Sequence, residues 1–419
     1  MDLALPGDEH PARVAVRAWL DAHPAPAPRE LADAGYVAPH WPRPWGLAAG
    51  PVDQLVIDEE LRAAGVRRPF NPIGIGWAGP TLVHAGTAWQ KDRYLPPLLS
   101  GDEVWCQLFS EPSAGSDLAG LRTKATKDGD GWVVSGQKVW TTYAHMAALG
   151  ILLARTDQSV AKHSGISYFV CPMDAPGVTV RPIVDMTGDH AFNEVFLDEV
   201  HLGPEHLVGQ QGQGWALAKV TLSNERVSLS GEGALWGQGP TAGDLVAELR
   251  ESGGVADPVL RQRVASVWSE GEVLRLVRLR TVGAVLAGRE PGPEASIRKA
   301  MADDHGKRVM ELARDLIGAR AMLGASERAR SGGDGPGGDA PDHVAAAGSG
   351  AVARWPESVW AKGYLFSMAL TIGGGTSEVQ RNIVAERVLG LPHVLDLDAG
   401  RSFDSLGEQA AGRISTTGS

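Results

Sequence analysis

Gln107-Leu-Phe-Ser-Glu-Pro-Ser-Ala-Gly-Ser-Asp117, followed by Gly136-Gln-Lys-Val-Trp-Thr-Thr142, decides the reading of this chain. In the first run Pro112 and Gly115 form a turn, with Ser110, Ser113 and Ser116 spaced along it. Such a loop turns backbone N–H groups and hydroxyls toward a ligand rather than into a core. The second run ends a strand with the flat indole of Trp140 and the hydroxyls of Thr141 and Thr142. An aromatic plane beside hydrogen-bond donors suits a flat heteroaromatic ring.

Around these runs, residues from about 105 to 210 read as strands. The segment 132–140 is β-rich after the Asp128-Gly-Asp-Gly131 turn. Segments 151–154, 166–171, 178–182 and 193–197 follow at strand-like lengths, separated by Gly, Pro and Asp, as in a small antiparallel barrel or sandwich. Helical spacing dominates on either side. Residues 11–23, 53–65, 81–86 and 88–94 are predicted helices before the strands, with Pro96-Pro97 expected to limit the last of these. Residues 215–229, 264–286, 293–323 and 377–389 are predicted helices after them. Residues 325–356 are rich in Gly, Ala and Asp and read as a mobile loop, and residues 397–419 as a disordered tail.

The chain's 419 residues can bury a large core. A net charge of −11 argues against nucleic acid as a partner, because a phosphate backbone needs a basic surface. Cys106 and Cys171 are the only cysteines, so no disulfide framework is expected and a reducing cytoplasm is the simple reading. No apolar run approaches the roughly 18 residues a membrane-spanning helix needs. The histidines show no metal-ligand spacing: His201 and His206, for example, flank Pro204. No Gly-x-Gly-x-x-Gly opens a helix after a strand, so a Rossmann domain is not supported.

Several dispersed segments, in order, resemble the acyl-CoA dehydrogenase flavoproteins. They are the two runs above, Met186-Thr-Gly188 with Phe192-Asn-Glu-Val-Phe196, and a closing segment from Ile372-Gly-Gly-Gly-Thr-Ser-Glu378 to Pro392. The resemblance implies an α+β fold. A helical N-terminal domain would span residues 1–104, a small antiparallel β-barrel 105–213 and a helical bundle 214–396. It also implies FAD as cofactor and α,β-dehydrogenation of an acyl-CoA or carrier-bound thioester. A base takes the Cα proton while hydride leaves Cβ for flavin N5. An electron-transferring flavoprotein is the implied acceptor.

Carried over residue by residue, the family pattern puts Phe109 and Ser110 at the flavin edge, Trp140 against its ring and Thr142 near N5. Read alone, Trp140 would be a core residue of the sheet. Thr376 and Glu378 fall where the family reaches the FAD ribose and pyrophosphate, and helix N-capping is their structural alternative. Ser116 and Arg226 match positions that contact the CoA arm and the acyl-CoA pocket; for Arg226 a structural ion pair is the alternative.

The base departs from the commonest pattern. Many relatives carry a glutamate immediately before the Gly-Thr of the closing motif, whereas this chain has Gly374 there. Leu222-Ser-Asn-Glu-Arg-Val227 matches the branches that place the glutamate on another helix, which makes Glu225 the expected base. Trp215, Ala218, Leu222, Glu225 and Leu229 also share one helix face, an apolar stripe on which a carboxylate needs a partner or a purpose. A buried Glu–Arg pair is the structural alternative. Substrate would desolvate Glu225 and raise its pKa toward the working range of a base.

No clear copy of the family's Arg-x-x-Phe-Gly segment, which reaches a neighbour's FAD, lies between residues 231 and 263. The glycine run, the Asn-Glu-Arg segment and Ala161-Lys-His-Ser-Gly-Ile166 resemble an actinobacterial branch. That branch includes heterotetramers acting on bulky thioesters, steroid side chains among them. A homo-oligomer or a heterotetramer with a paralogue is therefore implied. A non-catalytic partner subunit and an oxidase or flavin monooxygenase on the same fold stay open.

Overall fold

The computed structural model describes residues 6–228, 233–236, 238–286, 292–293, 295–319, 355, 357–393 and 400–406. They form two compact units. One comprises residues 15–57, 66–224 and the stretch after 392; the other comprises residues up to 14, 58–65 and 225–392.

The first unit is built on one eight-stranded sheet. Its strands are β1 (Trp105–Leu108), β2 (Lys124–Asp128), β3 (Gly131–Lys138), β4 (Leu149–Arg155), β5 (Ile166–Pro172), β6 (Val178–Ile183), β7 (Phe192–Leu202) and β8 (Leu207–Val208). The order is β6-β7-β3-β2-β4-β5-β8, with β1 also on β4. The expected small antiparallel barrel is not closed: the sheet is open between β6 and β8, and two of its pairings are parallel. The cause is the signature loop. The chain leaves the sheet at Leu108 and returns at Lys124, and β1 and β2 both run alongside β4 in the same direction. A long excursion permits a parallel return that a hairpin forbids.

Every residue of β4 is buried and β5 is buried nearly throughout, so both read as continuous apolar runs. Trp132, Val134, Leu152, Ala154, Phe169, Cys171, Val195 and Leu197 form the core. Both cysteines are free within it.

The helices α1 (Pro11–Ala22), α2 (Pro28–Asp33), α3 (Pro51–Ala63), α4 (Gly79–Ala85) and α5 (Ala88–Ser100) precede the sheet. Thr87 and Gln90 cap α5 reciprocally, and Gln90 Nε2 reaches the carbonyls of Glu205 (2.7 Å) and Leu207 (2.9 Å). Contrary to the sequence expectation, α5 runs through Pro96-Pro97. Tyr94, Leu95, Leu98 and Leu99 are buried, and that apolar face outweighs the backbone bonds the prolines remove.

Within the stretch expected as a tail, residues 400–406 are instead docked on the sheet unit. Ser402 pairs with Ala161, and the Phe403 N–H donates to the Val160 carbonyl (2.9 Å). The Arg155 guanidinium lies 3.5 Å from the Phe403 ring centroid. Arg155 is itself buried and donates to the carbonyls of Leu121, Lys162 and Ala119. Residues 407–419 and the predicted mobile loop, apart from residue 355, lie outside the described residues.

Helix α6 (Gly214–Ser228) leads into the second unit, which contains α7 (Ala242–Glu251), α8 (Pro258–Leu286), α9 (Ala295–Ile317), α10 (Glu357–Phe366) and α11 (Ser377–Ile383). The α8 helix starts six residues before the sequence expectation because Asp257 caps it: Oδ1 accepts from the N–H groups of Val259 (2.7 Å) and Leu260 (3.0 Å). Leu235, Leu245, Val309, Met310, Leu312, Trp360 and Leu370 form its core. Among the described residues no helix is long and apolar enough to cross a membrane.

Candidate active site

The signature loop starts from a buried ion pair. Lys138, at an inward position of β3 and fully buried, donates to Glu111 Oε1 (2.8 Å) and to the Phe109 carbonyl (3.0 Å). The Glu111 carboxylate also accepts from the N–H groups of Thr123 (2.9 Å) and Arg122 (2.7 Å). One side chain thus joins the two ends of the loop. Burial pushes the Glu111 carboxyl up, but the Lys138 ammonium and these donors outweigh it and hold it below the ordinary carboxylate value. Burial draws Lys138 down against the pull of Glu111. Glu111 and Ala114 exchange backbone hydrogen bonds (both 3.0 Å) and close the turn around Pro112-Ser113.

Phe109 is buried and packs edge-on against Tyr168. The Ser110 carbonyl accepts from the Val139 N–H (3.0 Å), which sets the two sequence runs side by side. The next residue, Trp140, takes a left-handed backbone (φ 59°), and so does Tyr143 (φ 60°). Each such residue costs on the order of 1–3 kcal/mol and persists where its surroundings fix it. Trp140 is 60% exposed, and its ring meets that of Phe192 at a steep angle. It is therefore an indole held out from the sheet, not the core residue it would be if read alone. Thr142 lies in the same turn, half-buried. Ser116 lies exposed further along the loop, away from these contacts.

Glu225 is 7% exposed on α6. The buried stripe of that helix is Leu217, Ala218, Thr221 and Glu225, with Trp215 and Leu222 half-buried beside it. Its carboxylate thus lies on a buried face, as the spacing predicted, although the stripe is rotated toward Thr221. The Thr221 hydroxyl is bonded to those of Thr81 (2.8 Å) and Tyr168 (3.0 Å). The Arg226 side chain and Leu229 lie outside the described residues.

In the second unit the glycine run is held by one ammonium. Lys299 Nζ, buried, donates among Asp303 Oδ2 (2.6 Å) and the carbonyls of Gly373 (2.7 Å), Leu370 (3.1 Å) and Gly375 (3.2 Å). Burial raises the Asp303 carboxyl to about 6 in spite of this partner. Thr376 caps α11 through the Val379 N–H (3.3 Å), and Glu378 is exposed in its first turn. Gly374 has φ 65° and Gly375 φ 87°. A glutamate at 374 would therefore sit on a backbone that disfavours any side chain.

A Cβ on Gly373 would fall 2.5 Å from Cζ2 of Trp236, so the indole occupies the space that the glycine leaves. Gly373→Ala is expected to destabilise the protein by about 1–3 kcal/mol through overpacking and to change the Trp fluorescence. Unaltered thermal stability and emission would show that Trp236 simply moves aside.

Sequence reasoning missed Glu111 and Lys138 as holders of the signature loop, and Lys299 as holder of the glycine run. A signal existed for two of them. Lys138 has the same strand parity as the buried Trp132 and Val134, and Lys299 shares a buried α9 face with Asp303, Gly306 and Met310. A lysine at an apolar period needs a partner. Among the described residues no group of three or more His, Cys, Asp or Glu side chains could hold a metal ion.

A helical segment, an open sheet with a displayed indole and a set of helices follow one another along the chain. The family models for acyl-CoA dehydrogenase match in succession: the N-terminal domain at residues 8–102, the middle domain at 106–200 and the C-terminal domain at 212–389. The chain belongs to the acyl-CoA dehydrogenase family. It is 40% identical over 371 residues to acyl-CoA dehydrogenase FadE34 of Mycobacterium tuberculosis, which covers 86% of this chain but only 45% of that protein. It is 37% identical over 389 residues to acyl-CoA dehydrogenase IpdE1 of the same organism, covering 92% and 91% of the two chains. Among solved structures, the Tcur3481-Tcur3483 steroid ACAD aligns with a TM-score of 0.69 and 28% identity over 94% of this chain and all of that one. The ChsE4-ChsE5 complex from M. tuberculosis aligns with 0.70 and 27% over the same shares.

Proposed function

We propose that this chain is a FAD-dependent dehydrogenase that introduces an α,β double bond into an acyl-CoA thioester. The observation that carries the reading is the turn displaying Trp140 beside Phe109 and Ser110. An apolar plane left open on a conformationally fixed turn fits a flat ring laid against it. Phe109 and Ser110 are assigned to the flavin edge, Trp140 to the ring face, and Thr142 to the side near N5. Thr376 and Glu378 are assigned to the ribose and pyrophosphate region.

FAD, when bound, supplies the two-electron acceptor for the substrate's Cβ–H bond. The chain's own task is the proton. Glu225 takes it from Cα, and its position on a buried face keeps the carboxylate away from bulk water, which favours a basic carboxylate once substrate covers it. Ser116 and Arg226 are assigned to the CoA arm and the acyl-CoA pocket. The likeness to a steroid ACAD supports a bulky acyl group, and the two-protein names of both solved relatives support assembly with a paralogue. An electron-transferring flavoprotein is the proposed acceptor.

The test is the visible spectrum of the purified protein, before and after anaerobic addition of saturated acyl-CoAs ranging from short straight chains to ring-bearing ones. A flavin band that bleaches with one class supports the reading and names the substrate type. A flavin that binds but stays oxidised with every thioester would sink it. A protein that becomes coloured and active only when co-expressed with a paralogue would replace it with the partner-subunit reading.

A further inference from the structure

We propose that Asn193 is a positioning residue for the turn that presents Trp140 and Thr142. The inference rests on the reading of those two residues as flavin contacts.

The turn contains two side-chain-bearing residues in the left-handed region, Trp140 and Tyr143. Such backbone relaxes unless it is held. Asn193, at the start of β7 and fully buried, holds it from inside. Its side-chain amide donates to the carbonyl of Thr141 (3.0 Å) and to that of Ala191 (3.3 Å). Its own backbone carbonyl accepts from the Thr141 N–H (3.0 Å). The Ala191 carbonyl also accepts from the Tyr143 N–H (2.8 Å), so Asn193 and Ala191 together hold Thr141, which follows Trp140, and Tyr143 itself.

The chemistry requires a carboxamide. Two carbonyls from different segments converge on one –NH₂, which has the two hydrogens to meet both. An aspartate of the same shape offers only acceptors to those carbonyls, and an alanine offers nothing. His145 Nδ1 stands 3.3 Å from the same nitrogen as a third neighbour. Asn193 touches neither substrate nor cofactor in this account. It acts through the turn, by fixing where the indole plane and the Thr142 hydroxyl stand.

Two measurements on Asn193→Ala and Asn193→Asp, made with the FAD-loaded protein, test this. The first is hydrogen exchange at the Thr141 and Tyr143 amides, expected to quicken about tenfold or more while β3 amides keep their protection. The second is the anaerobic flavin reduction rate at saturating acyl-CoA, expected to fall about tenfold or more per bound flavin with little change in half-saturation. Unchanged exchange at both amides would overturn the proposal. So would faster exchange with reduction still at the wild-type rate. If Asn193→Ala does not fold, Asn193→Asp carries the same comparison with the side-chain shape kept. A wild-type protein that no thioester reduces would instead count against the functional reading, and the exchange data alone would then decide whether Asn193 holds the turn.

Discussion

Glu225→Gln is expected to bind FAD as the wild type does and to be reduced by its best acyl-CoA about 10²–10⁴-fold more slowly, the usual contribution of a positioned general base. The substitution keeps size and hydrogen-bonding capacity while removing the ability to accept a proton. Glu225 is 7% exposed on a helix face shared with Leu217, Ala218 and Thr221. The amide keeps the side chain's size and shape, so the fold should be kept. No other residue in the family's pattern competes for the role. The alternative position is Gly374, whose φ of 65° marks a backbone that costs a side chain about 1–2 kcal/mol. Stopped-flow absorbance separates the outcomes: full flavin content with wild-type reduction would show that another group takes the proton.

The second large effect is on stability. Lys138→Met leaves the Glu111 carboxylate buried without its counter-charge, and breaking a buried pair in this way costs about 3–5 kcal/mol. The Phe109 carbonyl also loses its donor, so the segment assigned to the flavin edge should loosen and, on that assignment, FAD content fall. The pH dependence has a definite sign. In the wild type Glu111 is held below the ordinary carboxylate value, so its contribution is present above that value and is lost as pH falls. In Lys138→Met the same carboxyl rises above the ordinary value, because burial is no longer opposed by an ammonium. The deficit against wild type is then largest near neutrality and shrinks as acid protonates Glu111. Lys138→Met combined with Glu111→Gln should recover part of the loss, since neither charge then remains. Denaturant unfolding of the three proteins at two pH values checks both claims; a deficit that grows in acid would contradict the assignment of the pair.

The parts of this fold that could be read in advance are those written in local chemistry. The Pro112–Gly115 turn, the Thr376 cap and the carboxylate on a helical stripe each depend on neighbours a few residues away. What escaped reading depends on partners far along the chain. Alternation along β3 or β7 says which side of a strand is buried but not which strand lies beside it, and so strand lengths alone suit a small antiparallel barrel or sandwich as well as the open sheet with two parallel pairings. Asn193 reads as a strand residue, and its two carbonyl acceptors, one of them 52 residues away, are not visible from a run of letters. Phe403 stood as one aromatic in a polar segment, and average composition hid the guanidinium it covers.

That last contact has a consequence for how the protein is made. The sheet unit is discontinuous: its final piece follows the whole of the helical unit in the chain. Arg155 and the carbonyls of residues 119 and 121 leave the ribosome before residues 225–392 of the helical unit, but the ring that covers the guanidinium emerges only after them. Domains generally fold in the order they are translated, so most of the sheet can form on the nascent chain while this corner waits. A stalled or prematurely terminated chain would carry a nearly finished sheet with its arginine still uncovered, which gives quality control a local mark of incompleteness.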